Sequence, residues 1–236
     1  MQKTNPNILS TRPLSDTLIE HSARHNINID TASFIQTKPV IDAVLATQIH
    51  ELSKRSITAV FTSVNGVMAI ADIFQKPKNW NVYSISNTTA RRITEVFKMH
   101  ISGMAANAEA LADVIINAGL EKVYFFCSNI RRDALSEKLR AANITVEEIV
   151  VYETIETPTL ITKDYDGILF YSPSGVHSFF SMNAVQETTR LFAIGFTTAE
   201  TILQYTTNPV LIADKPDKED LVHQVIQHFN TNKREA

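Results

Sequence analysis

Short apolar runs alternate along the chain with longer segments whose apolar residues recur every three or four positions. Ile8-Leu9-Ser10 reads as a short strand that turns at Arg12-Pro13. Ser15 or Asp16 can cap a helix from Thr17 to about His25, which Asn26 ends. Residues 27–35 read as extended and partly alternating. Val40 to Lys54 reads as a helix, with Val40, Val44, Leu45, Ile49 and Leu52 on one side. Thr58-Ala59-Val60-Phe61 reads as a buried strand, with a helix beginning at Asn65-Gly66. Further strands at 81–85, 122–127, 145–154, 166–171, 191–194 and 210–213 alternate with helices that begin near Thr88, Asn107, Arg132, Gly175, Thr197 and Lys218. Strands alternating with helices of ~10–15 residues predict parallel sheets covered by helices on both faces.

Part of this pattern occurs twice. Phe61-Thr62-Ser63-Val64-Asn65-Gly66-Val67 returns 109 residues later as Phe170-Tyr171-Ser172-Pro173-Ser174-Gly175-Val176. At the same offset, Ile85 to Ala90 returns as Ile194 to Ala199, sharing the Thr-Thr-Ala ending. A weaker register at 117 residues relates Asp16, Leu18, Glu20, Asn26, Ile27 and Thr37 to Asp133, Leu135, Glu137, Asn143, Ile144 and Thr154. The expected fold is therefore α/β, with two similar doubly wound parallel-sheet domains. No Gly/Ser/Pro-rich linker separates them, so the crossings are expected in the matching extended segments Phe34–Lys38 and Tyr152–Glu156. One domain would hold residues 1–38 and 155–236, the other residues 39–154. Two equivalent polar loops on two such domains suggest an interdomain cleft holding one ligand.

Composition narrows the chemistry. The 236 residues are 44% hydrophobic with a net charge of −3, so the whole chain has no attraction for nucleic acid or an anionic membrane. No apolar run reaches the ~20 residues needed to span a bilayer. The first residues, Met1 to Asn7, are polar and unlike a signal peptide, which makes the cytoplasm the expected location. A single cysteine excludes an intrachain disulfide and a cysteine-cluster metal site. Phosphate-loop and dinucleotide fingerprints are missing, and the chain has only 6 glycines.

The repeated motifs carry the candidate chemistry. Ser63 with Gly66, and Ser172 with Ser174 and Gly175, stand between a strand and the following helix. Backbone N–H groups at such a helix start suit a carboxylate or phosphate, and ligands of open α/β sheets lie at strand carboxyl ends. The same residues also suit ordinary turns with serine caps. Thr88, Thr89, Thr197 and Thr198 can either cap helix starts or meet carboxylates. Arg12, Arg131 and Arg132 follow two equivalent strands and either attract anions or lie in solvent. Tyr152, near the second crossing, is a proton donor or a packing residue. His21, His25, His223 and His228 sit on predicted helix surfaces, His177 reads as structural, and Cys127 reads as a small core residue. No metal cluster and no nucleophile–histidine pair stand out.

The ordered set of motifs resembles uroporphyrinogen-III synthases. The matching pieces are Ser10-Thr11-Arg12-Pro13, Phe61-Thr62-Ser63 with Gly66-Val67, and Ala106 to Leu111. They continue through Cys127 to Leu135, Val151-Tyr152-Glu153-Thr154, Phe170 to Gly175, and Ala193 to Ala199. The resemblance implies two α/β domains joined by a two-stranded β-ladder, with the active site in the cleft between them. It implies cyclisation of hydroxymethylbilane, a linear tetrapyrrole with eight carboxylates, with inversion of the last pyrrole ring and loss of water. No cofactor and no metal are implied, and a monomer is expected. Tyr152 carries over as the candidate acid for the departing hydroxyl. Ser63, Ser172, Thr88, Thr197 and Thr198 carry over as cleft residues. Ser86 departs from the pattern, standing where a glycine is common, whereas the second copy keeps Gly195. The alternative expectation is a non-catalytic two-domain protein that binds an anionic metabolite or tetrapyrrole.

Overall fold

The computed structural model describes residues 5–74, 76–85, 87–130 and 133–231. Arg131, Arg132 and Ser86 lie outside the described residues. Contacts divide the chain into two compact units: an inserted unit, Thr37–Thr154, and a split unit made of the residues up to Gln36 and those from Ile155 onward.

The chain opens with β1 (Asn7–Ser10), α1 (Asp16–Arg24), β2 (Asn28–Thr31) and β3 (Ile35–Pro39). It continues with α2 (Ala43–Ser53), β4 (Ile57–Phe61), α3 (Val64–Ile70), β5 (Trp80–Ile85), α4 (Asn87–Phe97) and β6 (Gly103–Ala105). Next come α5 (Ala108–Asn117), β7 (Lys122–Ser128), α6 (Ala134–Ala141) and β8 (Thr145–Glu156). The chain closes with β9 (Gly167–Phe170), α7 (Pro173–Phe180), β10 (Arg190–Ala193), α8 (Phe196–Ile202), β11 (Val210–Ile212) and α9 (Lys218–Thr231).

The split unit has a five-stranded sheet in the order β11-β10-β9-β1-β2, parallel at every pairing. The inserted sheet has the order β3-β8-β7-β4-β5-β6, and its β8-β7-β4-β5-β6 portion is parallel. The chain crosses between the units within β3 and β8, which are sheet neighbours. The two repeat registers now combine. The 109-residue register matches β4 and β5 to β9 and β10, while the 117-residue register matches β7 and β8 to β1 and β2. Substituting one set for the other converts the split sheet order into β6-β5-β4-β7-β8. The units share one spatial plan but are circularly permuted in chain order.

Local chemistry explains why both copies fold alike. Asn26 and Asn143 have φ of 59° and 61°, in the left-handed region that asparagine tolerates better than most residues. Each ends a helix with the same bonds. The Ile27 N–H donates to Ser22 O and the Ile144 N–H to Leu139 O, both at 3.0 Å. These six-to-one bonds are Schellman caps, which satisfy carbonyls left open at the helix end. Along β4, Ala59 and Phe61 pack into one core layer and Val60 into the opposite one. Along β9, Ile168 and Phe170 likewise oppose Leu169. Each fully buried Phe, Ile or Leu contributes about 1.5–3 kcal/mol, against about 1 kcal/mol for a cap. Packing on both faces therefore holds the sheets, and the caps fix where helices stop.

Three local expectations change. Helix α2 begins at Ala43, with Asp42 capping the Leu45 N–H at 2.8 Å, so Val40 precedes it and Val44 is 77% exposed on its outer side. Strand β6 is added because Gly103–Ala105 pairs with β5. Strand β8 does not stop near the crossing but runs on to Glu156. Among the described residues, no helix is long and apolar enough to cross a membrane.

Candidate active site

At the carboxyl edge of the inserted sheet, strands β4 and β7 are neighbours although their chain continues to opposite sides, β4 toward β5 and β7 toward β8. Such a switch point is where open α/β sheets take ligands. A pocket of about 290 Å³ opens there. Thr62 and Ser63 line it from the end of β4, Ser128 from the end of β7, Tyr152 from β8 and Asn107 from the start of α5. Its apolar wall includes Ile85 and Phe125. A larger hollow of about 470 Å³ lies at the opposite edge of the same sheet, near Arg55, Asn81 and Lys122. Strand direction, rather than volume, selects the smaller one.

A bulge puts Tyr152 there. Register runs from Cys127 opposite Val150 directly to Ser128 opposite Tyr152, leaving Val151 as the extra residue. Ile149, Val151 and Tyr152 consequently pack into one core layer, which strict alternation would forbid. The Asn129 N–H donates to the Tyr152 carbonyl at 3.2 Å, and the Thr154 N–H donates to Asn129 Oδ1 at 2.9 Å. The loop after β7 therefore clamps the backbone on both sides of Glu153. The Tyr152 residue is only 8% exposed. Its other side borders a smaller hollow, about 160 Å³, beside Asn65 and Met68.

Ser63 is the N-cap of α3, its Oγ accepting the Asn65 N–H at 3.1 Å. Ser172 is the N-cap of α7, its Oγ accepting the Gly175 N–H at 3.2 Å. The capping role of both serines is thus realised. Each hydroxyl keeps a hydrogen that can be donated to a ligand. Gly66 serves packing rather than an open backbone: a Cβ there would lie 3.1 Å from the Phe126 carbonyl and 3.7 Å from the Tyr152 ring. A Cβ on Gly175 would meet only Ser172 Oγ, at 3.4 Å.

The threonines do not sit at N-cap positions. Thr88 and Thr89 lie inside the first turn of α4, and Thr197 and Thr198 inside that of α8. The N-cap of α8 is Gly195, in extended conformation with no side-chain cap bond. Thr89 and Thr198 are buried, whereas Thr88 is exposed and Thr197 half-buried. Neither Thr88 nor Thr89 lines the pocket beside Tyr152.

The split unit has its own switch point, between β1 and β9. Ser10 Oγ donates to the Arg12 carbonyl at 2.6 Å and lies 3.1 Å from Tyr171 Oη. Burial pushes the Tyr171 phenol up to about 12, with Ser10 and Arg12 pulling the other way. Tyr171 is therefore a poor acid, although it too stands at a strand end. Arg12 is half-buried beside it, and Lys218 donates to the Pro13 carbonyl at 2.8 Å. Ser174 is half-buried in the first turn of α7.

Ser63 and Tyr152 are thus brought to one pocket. Thr62, Asn107 and Ser128 join them there, and Asn129 holds the backbone beside Tyr152, without having been singled out from the sequence as site residues. A signal existed for two of them, since Ser128 and Asn129 are the 117-residue counterparts of Thr11 and Arg12. Asn107 caps α5 by accepting the Ala110 N–H at 2.9 Å.

Two parallel α/β units, crossed twice by one chain and carrying hydroxyl-bearing strand ends, define a two-unit, doubly wound α/β fold class. The chain belongs to the uroporphyrinogen-III synthase family, whose model, described as uroporphyrinogen-III synthase HemD, matches residues 16–223. That family comprises cyclising hydro-lyases of tetrapyrrole biosynthesis. Among solved structures, a mutant uroporphyrinogen III synthase from the extremely thermophilic bacterium Thermus thermophilus is similar to this chain with a TM-score of 0.68 and 11% identity, covering 96% of this chain and 99% of its own. The uroporphyrinogen-III synthetase of Helicobacter pylori gives 0.66 and 18%, covering 94% and 99%. At these identities the likeness concerns the fold. No curated protein sequence matches the chain.

Proposed function

We propose that this chain cyclises hydroxymethylbilane to uroporphyrinogen III, inverting the last pyrrole ring and releasing water. Loss of the terminal hydroxyl leaves a stabilised cation, which closes on the substituted carbon of the last ring. The resulting spiro intermediate fragments and recloses with that ring turned over, and the closing carbon then loses its proton, which restores the pyrrole and balances the proton released in water. Such chemistry asks for a folded substrate pose and help for the departing hydroxyl, more than for a strong base. Tyr152 is the proposed donor to that hydroxyl, and the pocket it shares with Ser63, Thr62 and Ser128 is the observation that carries the reading. Apolar walls suit a pyrrole face, while hydroxyls and the Asn107 carboxamide suit its substituents. We further propose that Arg12, Arg131, Ser172, Ser174, Gly175, Thr88, Thr89, Thr197, Thr198 and the backbone near Gly66 supply contacts to the carboxylates. One copy of the chain carries every residue this requires, so a monomer suffices.

Incubation with hydroxymethylbilane, followed by oxidation and separation of the porphyrin isomers, tests the proposal. Isomer III in excess of the spontaneous isomer I is the expected result. Isomer I alone, with the tetrapyrrole still bound, would leave a non-catalytic binder.

A further inference from the structure

Lys218 occupies a position that opposes its charge in several ways. It is the first residue of α9, where the helix dipole disfavours a cation. Partial burial and the neighbouring Arg12 guanidinium hold its ammonium below the usual lysine range. Nearby acids do not pair with it. Asp217 Oδ1 accepts the Asp220 N–H at 2.7 Å, and Asp220 Oδ2 accepts the Lys215 N–H at 2.9 Å. Other lysines behave differently: Lys163 pairs with Asp30, Lys138 with Asp113 and Lys122 with Glu147, each at 2.7 Å. Among the described residues, Lys218 has no such ion pair within 4.0 Å.

Geometry fixes where this charge points. The ammonium donates to the Pro13 carbonyl, across 205 residues of sequence, and lies 5.8 Å from the centroid of the Tyr171 ring. It therefore stands with Arg12 over the carboxyl ends of β1 and β9, at the split sheet's switch point. Lys218 is nonetheless exposed, so an incoming anion can reach it. A carboxylate placed between the two cations would relieve their repulsion, and it would itself be favoured by the positive end of the α9 dipole.

We propose that Lys218, together with Arg12, forms an anion subsite on the split unit that takes one carboxylate of the linear tetrapyrrole. This rests on the synthase reading above. Lys218 binds and positions substrate and takes no part in proton transfer.

Steady-state kinetics with hydroxymethylbilane, measured over a range of ionic strengths, test the subsite. Lys218→Gln should raise KM about tenfold, the size of one charge-assisted hydrogen bond. Its kcat should be little changed, and KM should depend less on salt than in the wild type. Lys218→Arg should restore most of the affinity. Lys163→Gln, which removes a cation already paired with Asp30, should leave KM unchanged. Thermal melting of each variant identifies unfolding, in which case the arginine variant decides: a wild-type KM and salt slope in it support the subsite, and a tenfold loss overturns it. An unchanged KM in folded Lys218→Gln, with wild-type enzyme making isomer III, overturns the subsite alone. Wild-type protein making only isomer I overturns the synthase reading and the subsite with it.

Discussion

The two switch points share one plan and have been filled differently. Between β4 and β7 there is a hollow walled by Phe125, Ile85 and hydroxyls, and none of its described lining residues is charged. Between β1 and β9, the Tyr171 ring is buried, and Lys218 lies 5.8 Å from its centroid, with Arg12 nearby. Duplicated architecture therefore does not imply duplicated chemistry. The proposed function would use the inserted unit's hollow for an apolar ring and the split unit's cations for a carboxylate. The two tyrosines make the same contrast. Tyr171 is hydrogen-bonded to Ser10 and pushed up to about 12 by burial, while a bulge brings Tyr152 to the wall of the pocket.

Tyr152→Phe should have the largest effect. Loss of a positioned proton donor costs about 10²–10⁴-fold in rate, and because water loss is intrinsically easy here the lower end is expected, in kcat with KM little changed. Tyr171→Phe should leave kcat near wild type. Equal losses in the two variants, measured as isomer III formation, would erase the distinction between the sites.

The paired glycines should respond with opposite signs. Gly66→Ala presses a methyl group against the carbonyl of Phe126, in a strand flanked by β4 and β8, and should cost about 1–2 kcal/mol. Gly175→Ala meets only ordinary contact and should gain up to about 0.5 kcal/mol from helix propensity. Urea unfolding of both variants reads the difference, and a shared sign would show that the two helix starts are packed alike.

The helix ends should instead behave identically. Asn26→Ala and Asn143→Ala each force a Cβ-bearing residue without a compensating amide into left-handed backbone, at about 1 kcal/mol apiece. Glycine at either position should restore stability. Costs differing by more than about twofold would mean that the 117-residue repeat is not equivalent in energy.

The smallest expected effect separates two equivalent helix contacts by pH. Helix α5 packs on α6 with a Lys138–Asp113 pair at 2.7 Å, while α9 packs on α1 with His21 between His25 and His223. Desolvation, His25, His223 and Arg24 all hold His21 below 6.5. The unfolded chain thus takes up its proton first, so this contribution is complete above 6.5 and is lost as pH falls through the lower folded value. His21→Gln should flatten the acid side of a melting-temperature profile, and an unaltered profile would remove His21 as its source.

Much of the fold was legible because it is local. The apolar run Thr58–Phe61, the serines before Gly66 and Gly175, and the asparagines ending two helices each announce their structure within a few residues. Strand β6 was not legible, since Gly103-Met104-Ala105 is a strand only through its pairing with β5. Nor was the inward turn of Thr89 and Thr198, which depends on where the helix begins after Gly195 rather than on composition. At the site, Ser63 and Tyr152 could be named from the sequence, but the bulge that seats Tyr152 depends on the register of β7 and β8. Lys218 could not be foreseen, because its meaning comes from Pro13 and Tyr171, far away in sequence.

The double crossing also bears on how the chain assembles during synthesis. Ile8 pairs with Gly167, far along the chain, whereas Ala59 pairs with Tyr124 within one continuous stretch. The inserted unit can complete its five parallel strands before β9 is made, while β1 and β2 must wait for their partners. Once the inserted unit is folded, β3 and β8 are neighbours, so the two ends leaving it start out close together. The long closure then becomes a short one at high effective concentration. Damage to the inserted unit should therefore slow the maturation of the split unit as well, even where it touches none of that unit's residues.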